Sequence, residues 1–264
     1  MKPPIKRLFF LNSMNIYLPD NLFGRLIAKK FPKRKAKEMN FLSVQQITSR
    51  VLEDEEGVGL IPTMDLINHR ELFVSSKLGI SFDGSLNNSY YYFGENQKTI
   101  KDIYMIGDIT SVEVILTKVL MSELYNITAE IHLSAVDELS KDKNYLVAGD
   151  RNFNGDLVLR GISLSEEVSD HLEVPFVNYI FASKKEALIK DLHKEVTEID
   201  EDFRMGGLNV DYEFSEATED YFSNNLSSIV IKFDESDIEG IKQLLLLPYY
   251  YQIVEDIFEV NFVS

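Results

Sequence analysis

The chain has 264 residues, of which 45% are hydrophobic, and a formal net charge of −16. This length allows one large domain or two lobes of ordinary size, and the composition is typical of a globular protein. Because the sequence contains no cysteine, disulfide scaffolds, thiolate metal sites and cysteine nucleophiles are excluded.

Strand-like and helix-like segments alternate along the first part of the chain, which predicts the α/β class. The predicted elements are a strand at Leu8–Leu11, a helix near Asn21–Phe31, a strand near Glu38–Leu42, a helix opened by a capping box at Ser43–Gln46, and a strand at Val58–Ile61. Two further strand-like runs flank the polar, glycine-bearing turn Ser81–Ser85.

A second alternating set of segments follows Gly94. Its predicted elements are a strand at Ile103–Ile106, a helix at Ser111–Tyr125, and strands at Ala129–Leu133, Tyr145–Ala148, Leu157–Arg160 and Val174–Ala182. The last part is predicted to hold a helix from Lys184 to about Ile199, a helix around Ser215–Ser223, a strand at Ile229–Phe233, and a final helix beginning near Asp234.

This order of segments predicts two lobes. We expect residues 90–182 to form lobe II, and residues 1–89 together with 183–264 to form lobe I. The chain would then cross between the lobes twice, at Tyr90–Phe93 and at Phe176–Phe181, and two extended crossings of this kind form a hinge.

Polar residues follow several of the predicted strands, and ligands bind at the carboxyl ends of strands in an open α/β sheet. The candidate ligand-binding residues of lobe I are Asn12, Ser13 and Thr63, and those of the turn before the first crossing are Ser81, Asp83, Gly84, Ser85 and Ser89. Gly149 and Asp150 end a predicted strand of lobe II, where Asp150 would either hold a substrate hydroxyl or cap the turn.

The clearest local signal is the start of the helix predicted at Ser111–Tyr125. Thr110 and Glu113 have the spacing of a capping box. The free backbone N–H groups at this helix start, with the hydroxyls of Thr110 and Ser111, would form a site for a carboxylate or phosphate. The alternative is an ordinary N-cap, and Asp108 places a competing negative charge beside the site.

Several classes of site are absent from the sequence. There is no P-loop, no dinucleotide-binding glycine motif, no His-Glu-x-x-His motif and no Gly-x-Ser-x-Gly elbow. The four histidines lack ligand spacing, so we expect no metal site. The basic run Lys29–Lys37 is interpreted as a solvated helix end and loop, and we expect neither nucleic acid nor a membrane as a partner.

Taken in order, these segments resemble the chorismate dehydratase family of the futalosine route to menaquinone. The segments that carry the resemblance are Phe9–Ser13, Gly57–Thr63, Gly79–Tyr90, Thr110–Val112, Ala148–Asp150 and Glu173–Val177. The resemblance implies a cytoplasmic protein with the type 2 periplasmic-binding-protein fold, that is, two lobes joined by two hinge strands around a ligand-binding cleft. It also implies a cofactor-free lyase that dehydrates chorismate, or a close cyclic carboxylate, to an enolpyruvyl-oxy benzoate.

The family's polar groups around the reacting centre correspond here to Asn12 and to Ser89 or Ser85. The sequence departs from the family pattern at Phe82 and Ser85 in the turn, and at Asp108 and Ile109 before the helix start. Two hypotheses therefore stand: the lyase, and a non-catalytic cytoplasmic small-molecule binding or sensory protein of the same fold. Both predict a small-molecule carboxylate ligand, and neither predicts an oligomeric state.

Overall fold

The computed structural model describes residues 14–95, 100–173, 175–199 and 214–264, and the elements below are numbered within those ranges. The strands are β1 (Asn15–Pro19), β2 (Met39–Leu42), β3 (Gly57–Pro62), β4 (Phe73–Phe82), β5 (Ser89–Tyr92), β6 (Asp102–Gly107), β7 (Glu130–Leu133), β8 (Asn144–Ala148), β9 (Ile162–Ser163), β10 (Phe176–Ser183), β11 (Ile229–Lys232) and β12 (Asn261–Val263). The helices are α1 (Leu22–Lys30), α2 (Val44–Glu53), α3 (Ser111–Tyr125), α4 (Leu164–Leu172), α5 (Glu186–His193), α6 (Glu216–Asn225) and α7 (Glu235–Tyr250).

Two β-sheets divide the described part of the chain. The larger sheet has the order β11-β4-β10-β3-β1-β2, with β12 pairing with β4. Strand β1 is parallel to β2 and β3, whereas β10 is antiparallel to β3 and β4. The smaller sheet has the order β7-β6-β8-β5-β9, in which β6 is parallel to β7 and β8. We call the larger sheet with its helices lobe I and the smaller one lobe II.

The chain passes from lobe I to lobe II between β4 and β5, and returns between α4 and β10. Ser89 already pairs with Ala148 of lobe II, and Phe176 already pairs with Phe82 of lobe I. From this pairing we propose that lobe II spans residues 89–175, whereas the sequence predicts residues 90–182.

Most predicted elements coincide with observed ones, but two local predictions are wrong and one helix was missed. Ser43 precedes α2, but its hydroxyl bonds the Gln45 side chain rather than a backbone N–H, so it forms no capping box. The strand predicted at Leu157–Arg160 lies within a 3-10 helical segment, Asp150–Arg160. Helix α4 was not predicted. The strand predicted at Leu8–Leu11 lies outside the described residues.

The basic run after α1 is held by acidic residues of the same chain. The guanidinium of Arg34 donates to Glu198 at 2.7 and 2.9 Å and also pairs with Glu195. Lys35 donates to Glu38 at 2.8 Å. These pairs agree with the interpretation of the run as a surface segment. None of the described helices combines the length and hydropathy that crossing a membrane requires.

A chain of aromatic rings joins the cores of the two lobes. Phe153 of the 3-10 segment contacts Phe23 of α1, Tyr90 of β5 and Phe222 of α6, with ring centroids 6.1, 6.4 and 4.7 Å apart. Phe23 also meets Phe82 edge-on at 5.0 Å. All five side chains are buried. The lobes are therefore packed against each other at one end of their junction.

Candidate functional site

A cavity of about 630 Å³ lies between the two lobes. Lobe I contributes the start of α2 and the end of β3, and lobe II contributes β6, β7 and the first turns of α3. The lining residues are Gln45, Pro62, Asp65, Met105, Gly107, Ile109, Thr110, Ser111, Val114, Ile115, Leu133 and Ser134. The volume is within the range of about 300–1,000 Å³ usual for small-molecule sites.

Two hydrogen bonds cross the cleft beside this cavity. The Ser111 hydroxyl of lobe II donates to Asp65 Oδ1 of lobe I at 2.6 Å. Gln45 Nε2 of lobe I donates to the Ile109 carbonyl of lobe II at 3.1 Å. The other carboxylate oxygen of Asp65 accepts from Thr48 Oγ1 at 2.5 Å, which fixes the carboxylate in place. The cavity therefore has a mostly apolar wall with one oriented carboxylate.

The start of α3 is capped by its own side chains, as the sequence predicts. Thr110 Oγ1 accepts from the Val112 amide at 3.2 Å, and the Glu113 carboxylate accepts from the Thr110 amide at 2.9 Å and from its hydroxyl at 2.6 Å. Ser89 of β5 donates to the other oxygen of Glu113 at 2.9 Å. Ser89 and Glu113 are fully buried. Burial raises the pKa of Glu113, and the hydrogen bonds from Thr110 and Ser89 oppose that rise.

The start of α1 receives a carboxylate from the opposite lobe. Asn21 is the N-cap, and its side-chain oxygen accepts from the Gly24 amide at 3.0 Å. The Leu22 amide, one of the free donors of this helix end, donates to Asp150 Oδ1 of lobe II at 2.8 Å. Asn21 Nδ2 also donates to Asp108 Oδ2 of lobe II at 3.2 Å. Burial raises the pKa of Asp108, and the neighbouring charges of Asp150 and Asp20 add to that rise.

A buried tyrosine lies at the centre of this polar junction. The Tyr179 hydroxyl of β10 accepts from Asn88 Nδ2 at 3.2 Å. Burial raises the pKa of Tyr179 well above 10, and the negative charges of Glu113, Asp108 and Asp150 act in the same direction. The phenol therefore stays protonated.

The predicted site residues fall into separate places. Thr110 and Ser111 line the cavity, and Ser89 meets Thr110 at Glu113. Asp150 lies at the start of α1, and the Gly149 amide donates to the Asn88 carbonyl at 2.8 Å.

Thr63 is fully buried, and its hydroxyl donates to the Val177 carbonyl at 2.7 Å, so it joins β10 to the end of β3. Asn12 and Ser13 lie outside the described residues.

The predicted turn residues lie away from the cavity. The Asp83 amide donates to the Ser228 carbonyl at 2.9 Å, and Ser85 bonds the Glu166 side chain at the start of α4. Ser81 is fully buried beside them. Gly84, at φ +150°, has a conformation that L side chains rarely adopt. None of the four is among the residues that line the cavity.

Ser75 and His193 have the geometry of a nucleophile and its base, with Oγ and Nε2 2.7 Å apart. Ser75 is fully buried, however, and its oxygen accepts from the Lys77 and Leu78 amides at 3.1 and 2.9 Å. Burial lowers the pKa of His193 to about 4. The neutral imidazole and the Ser75 hydroxyl therefore share a hydrogen bond, and this pair stabilises an irregular turn in β4.

Sequence reasoning did not identify Asp65 and Gln45 as parts of the lobe junction. Asp65 lies only three residues beyond the end of β3, and Gln45 in the first turn of α2, both positions where polar side chains usually serve local turns and caps. Their position after a strand or at a helix start was the available signal. Only the packing of the two lobes shows that Asp65 and Gln45 bond across the junction and are not ordinary caps.

No protein-family model matches this sequence, and no curated protein matches it. The fold is similar to those of several solved structures. Protein AF1704 from Archaeoglobus fulgidus is 10% identical, with a TM-score of 0.57 over 93% of this chain and 100% of that chain. The periplasmic aliphatic sulphonate binding protein SsuA from Escherichia coli is 10% identical, with a TM-score of 0.56 over 94% of this chain and 89% of that chain.

A ligand-binding component of an ABC-type import system from Staphylococcus aureus is 12% identical, with a TM-score of 0.59 over 95% of this chain and 96% of that chain. The chain therefore has a two-lobe fold of the type 2 periplasmic-binding-protein kind, which confirms the predicted fold class. At 10–12% identity the likeness concerns the fold alone.

Proposed function

We propose that this protein binds a small, largely apolar molecule in the cavity between its lobes, and that the ligand is neutral or cationic. The observation that carries this proposal is the cavity of about 630 Å³ that both lobes line. Clefts between lobes are a preferred position for ligand sites, because closure surrounds the ligand on both sides.

The chemistry of the lining supports this class of ligand. Six lining residues are apolar, namely Pro62, Met105, Ile109, Val114, Ile115 and Leu133. Asp65 is the one charged residue among the lining residues of the described structure, which include no Lys, Arg or His. A ligand with an amine or hydroxyl would donate to Asp65, whereas a carboxylate would meet a like charge without a compensating cation.

The two helix starts at the lobe junction support the same conclusion. Helix N-termini favour anions. Here the chain's own carboxylates already accept from these donors, Asp150 at α1 and Glu113 at α3. An anionic ligand at either helix start would therefore lie beside a carboxylate of like charge.

The test compares three ligands with the same carbon skeleton: cyclohexylmethylamine, cyclohexylmethanol and cyclohexanecarboxylate. Binding to the folded state alone raises the unfolding free energy by about 2.7 kcal/mol at 100 times the Kd. We expect thermal unfolding to shift upward with the amine and the alcohol. Val114→Phe fills the cavity and should abolish the shift, whereas Lys118→Phe, on the exposed face of the same helix, should retain it. A shift with the carboxylate alone, or an undiminished shift in Val114→Phe, contradicts the proposal.

A second candidate function is the cofactor-free dehydration of chorismate or a close cyclic carboxylate in menaquinone biosynthesis. It is favoured by the contact of Ser89 with a buried carboxylate, Glu113, whose raised pKa suits a group that exchanges a proton. The test is incubation with chorismate and detection of an aromatic product. Ser89→Ala should abolish turnover and Ser85→Ala should retain it. Absence of turnover, with unchanged thermal stability in excess chorismate, would remove this candidate.

In either case we propose a cytoplasmic protein, which fractionation of the source cells tests.

A further inference from the structure

Three potential metal ligands lie together on lobe II, at the amino-terminal ends of β6 and β7. Asp102 begins β6 and Glu130 begins β7, and the two are register partners in this parallel pair. His132 lies two residues after Glu130 and therefore on the same face of the strand. One ligand atom of each side chain lies within 4.8 Å of the others.

In the described part of the chain, no lysine or arginine balances the two carboxylates of this group. Asp102 and Glu130 stand directly opposite each other, and like charges in that position destabilise a sheet. Among the described residues, no Lys or Arg forms an ion pair with either carboxylate. The nearby ammonium of Lys143 lies over the Tyr104 ring, 4.2 Å from its centroid. A divalent cation between the carboxylates would remove the repulsion.

The imidazole is oriented toward the carboxylates. His132 Nε2 lies 2.7 Å from Asp102 Oδ1, and the ring stacks on Tyr104 with centroids 5.1 Å apart. Stacking limits the rotation of the ring, which is the role that surrounding residues have in metal sites. The side chains of His132 and Asp102 are 39% and 47% exposed, so an ion reaches them from solvent.

We propose that Asp102, Glu130 and His132 form a binding site for a divalent transition metal such as Zn²⁺. Imidazole suits zinc, copper, iron and nickel, and carboxylates complete such sites with oxygen ligands. A zinc ion lies about 2.0–2.2 Å from each nitrogen or oxygen ligand. Small rotations of three side chains whose ligand atoms are already within 4.8 Å bring them to these distances. A water molecule would complete the tetrahedral set.

This site is separate from the ligand cavity. The cavity is lined by Met105 and Gly107 near the end of β6 and by Leu133 and Ser134 at the end of β7. Asp102 and Glu130 lie at the opposite ends of these strands, and the side chain of His132 is on the face of β7 opposite to that of Leu133. The inference is therefore independent of the proposed function, and an ion here would tie the edge strand β7 to β6.

No sequence pattern indicates this site, because Asp102 and His132 are 30 positions apart and are brought together by the parallel pairing of β6 and β7. The chain offers a clean test, since it has no cysteine and only four histidines. The full-length protein is titrated with ZnCl₂ by calorimetry, and with CoCl₂ by visible absorption. We expect a stoichiometry of one ion per chain.

His132→Ala and Glu130→Gln should each weaken Zn²⁺ binding about tenfold or more, and His171→Ala, a histidine on α4, should leave it unchanged. Asp102→Asn can still hydrogen-bond His132 but lacks the charged ligand, so a loss of affinity in this variant distinguishes a metal site from a simple histidine–aspartate pair. Circular dichroism establishes that each variant is folded. Absence of saturable binding at millimolar Zn²⁺, or equal affinity in His132→Ala, Asp102→Asn and His171→Ala, would overturn the proposal.

Discussion

Replacement of Glu113 by alanine is expected to lower the free energy of unfolding by about 2–6 kcal/mol. The carboxylate accepts from the Thr110 amide at 2.9 Å, the Thr110 hydroxyl at 2.6 Å and the Ser89 hydroxyl at 2.9 Å. Alanine leaves at least the Thr110 amide and the Ser89 hydroxyl without a partner in a buried position, and each unsatisfied group costs about 1–3 kcal/mol. Removal of a buried charge offsets part of this loss.

Glu113→Gln is the matched variant. Its carbonyl oxygen can accept from both donors of Thr110, and its amide can donate to Ser89 after the hydroxyl rotates, so we expect a loss of about 1 kcal/mol or less at neutral pH. The two variants therefore separate the contribution of the hydrogen bonds from that of the charge.

The difference in unfolding free energy between the wild type and Glu113→Gln should also depend on pH. Burial raises the pKa of Glu113 in the folded protein, whereas the unfolded carboxyl titrates near 4.5. The folded protein therefore takes up this proton at a higher pH than the unfolded chain does. As the pH falls through the folded-state pKa toward 4.5, the wild type gains stability relative to Glu113→Gln, which has no proton to take up.

Urea unfolding followed by circular dichroism, at neutral and at mildly acidic pH, measures both effects. The m-value should not change among the three proteins, since the surface exposed on unfolding is the same. Two results would refute the reasoning: a loss in Glu113→Gln as large as in Glu113→Ala, or a wild type that loses stability relative to Glu113→Gln on acidification.

Two further predictions concern the packing of the lobes. Phe153→Ala should cost about 3–5 kcal/mol in urea unfolding, because it removes a buried ring from the aromatic chain that joins the lobes; Phe153→Leu, which keeps most of the volume, should cost clearly less, and equal losses would contradict this. Gly107→Ala should be strongly destabilising, because Gly107 has φ +91° and an added Cβ would lie 2.0 Å from the Ala148 carbonyl oxygen. An unchanged melting temperature in Gly107→Ala would show that this close approach of β6 and β8 is not maintained in solution.

Helices were predicted correctly where the capping residues and the apolar periodicity indicate the same helix start. Helix α3 spans Ser111–Tyr125 as predicted, because the Thr110–Glu113 capping box and an apolar stripe indicate the same start. The stretch Leu157–Arg160 was predicted as a strand because it is a short apolar run, but it belongs to a 3-10 segment in which Val158 is buried. The pattern of a short apolar run does not distinguish a strand from a helical segment.

The candidate site depends on contacts between residues far apart in the sequence, which no local sequence pattern predicts. That Thr110 would cap α3 follows from the sequence, but the bond from Ser89 to Glu113 comes from the packing of β5 against α3. In the same way, nothing near Asp150 indicates that its carboxylate bonds the Leu22 amide, 128 positions away. Such pairings depend on how the lobes meet, which is decided by tertiary packing.

The carboxylate of Asp150 at the start of α1 also bears on how ligands are bound. Bonds such as Asp150 to Leu22 and Ser111 to Asp65 hold the two lobes together without any contribution from a ligand. Apparent affinity is reduced by the fraction of molecules that are not in the binding-competent state. In a protein whose own side chains keep that state populated, a ligand meets a receptor that is already assembled, and its affinity reports the contacts in the cavity rather than the work of closing the lobes.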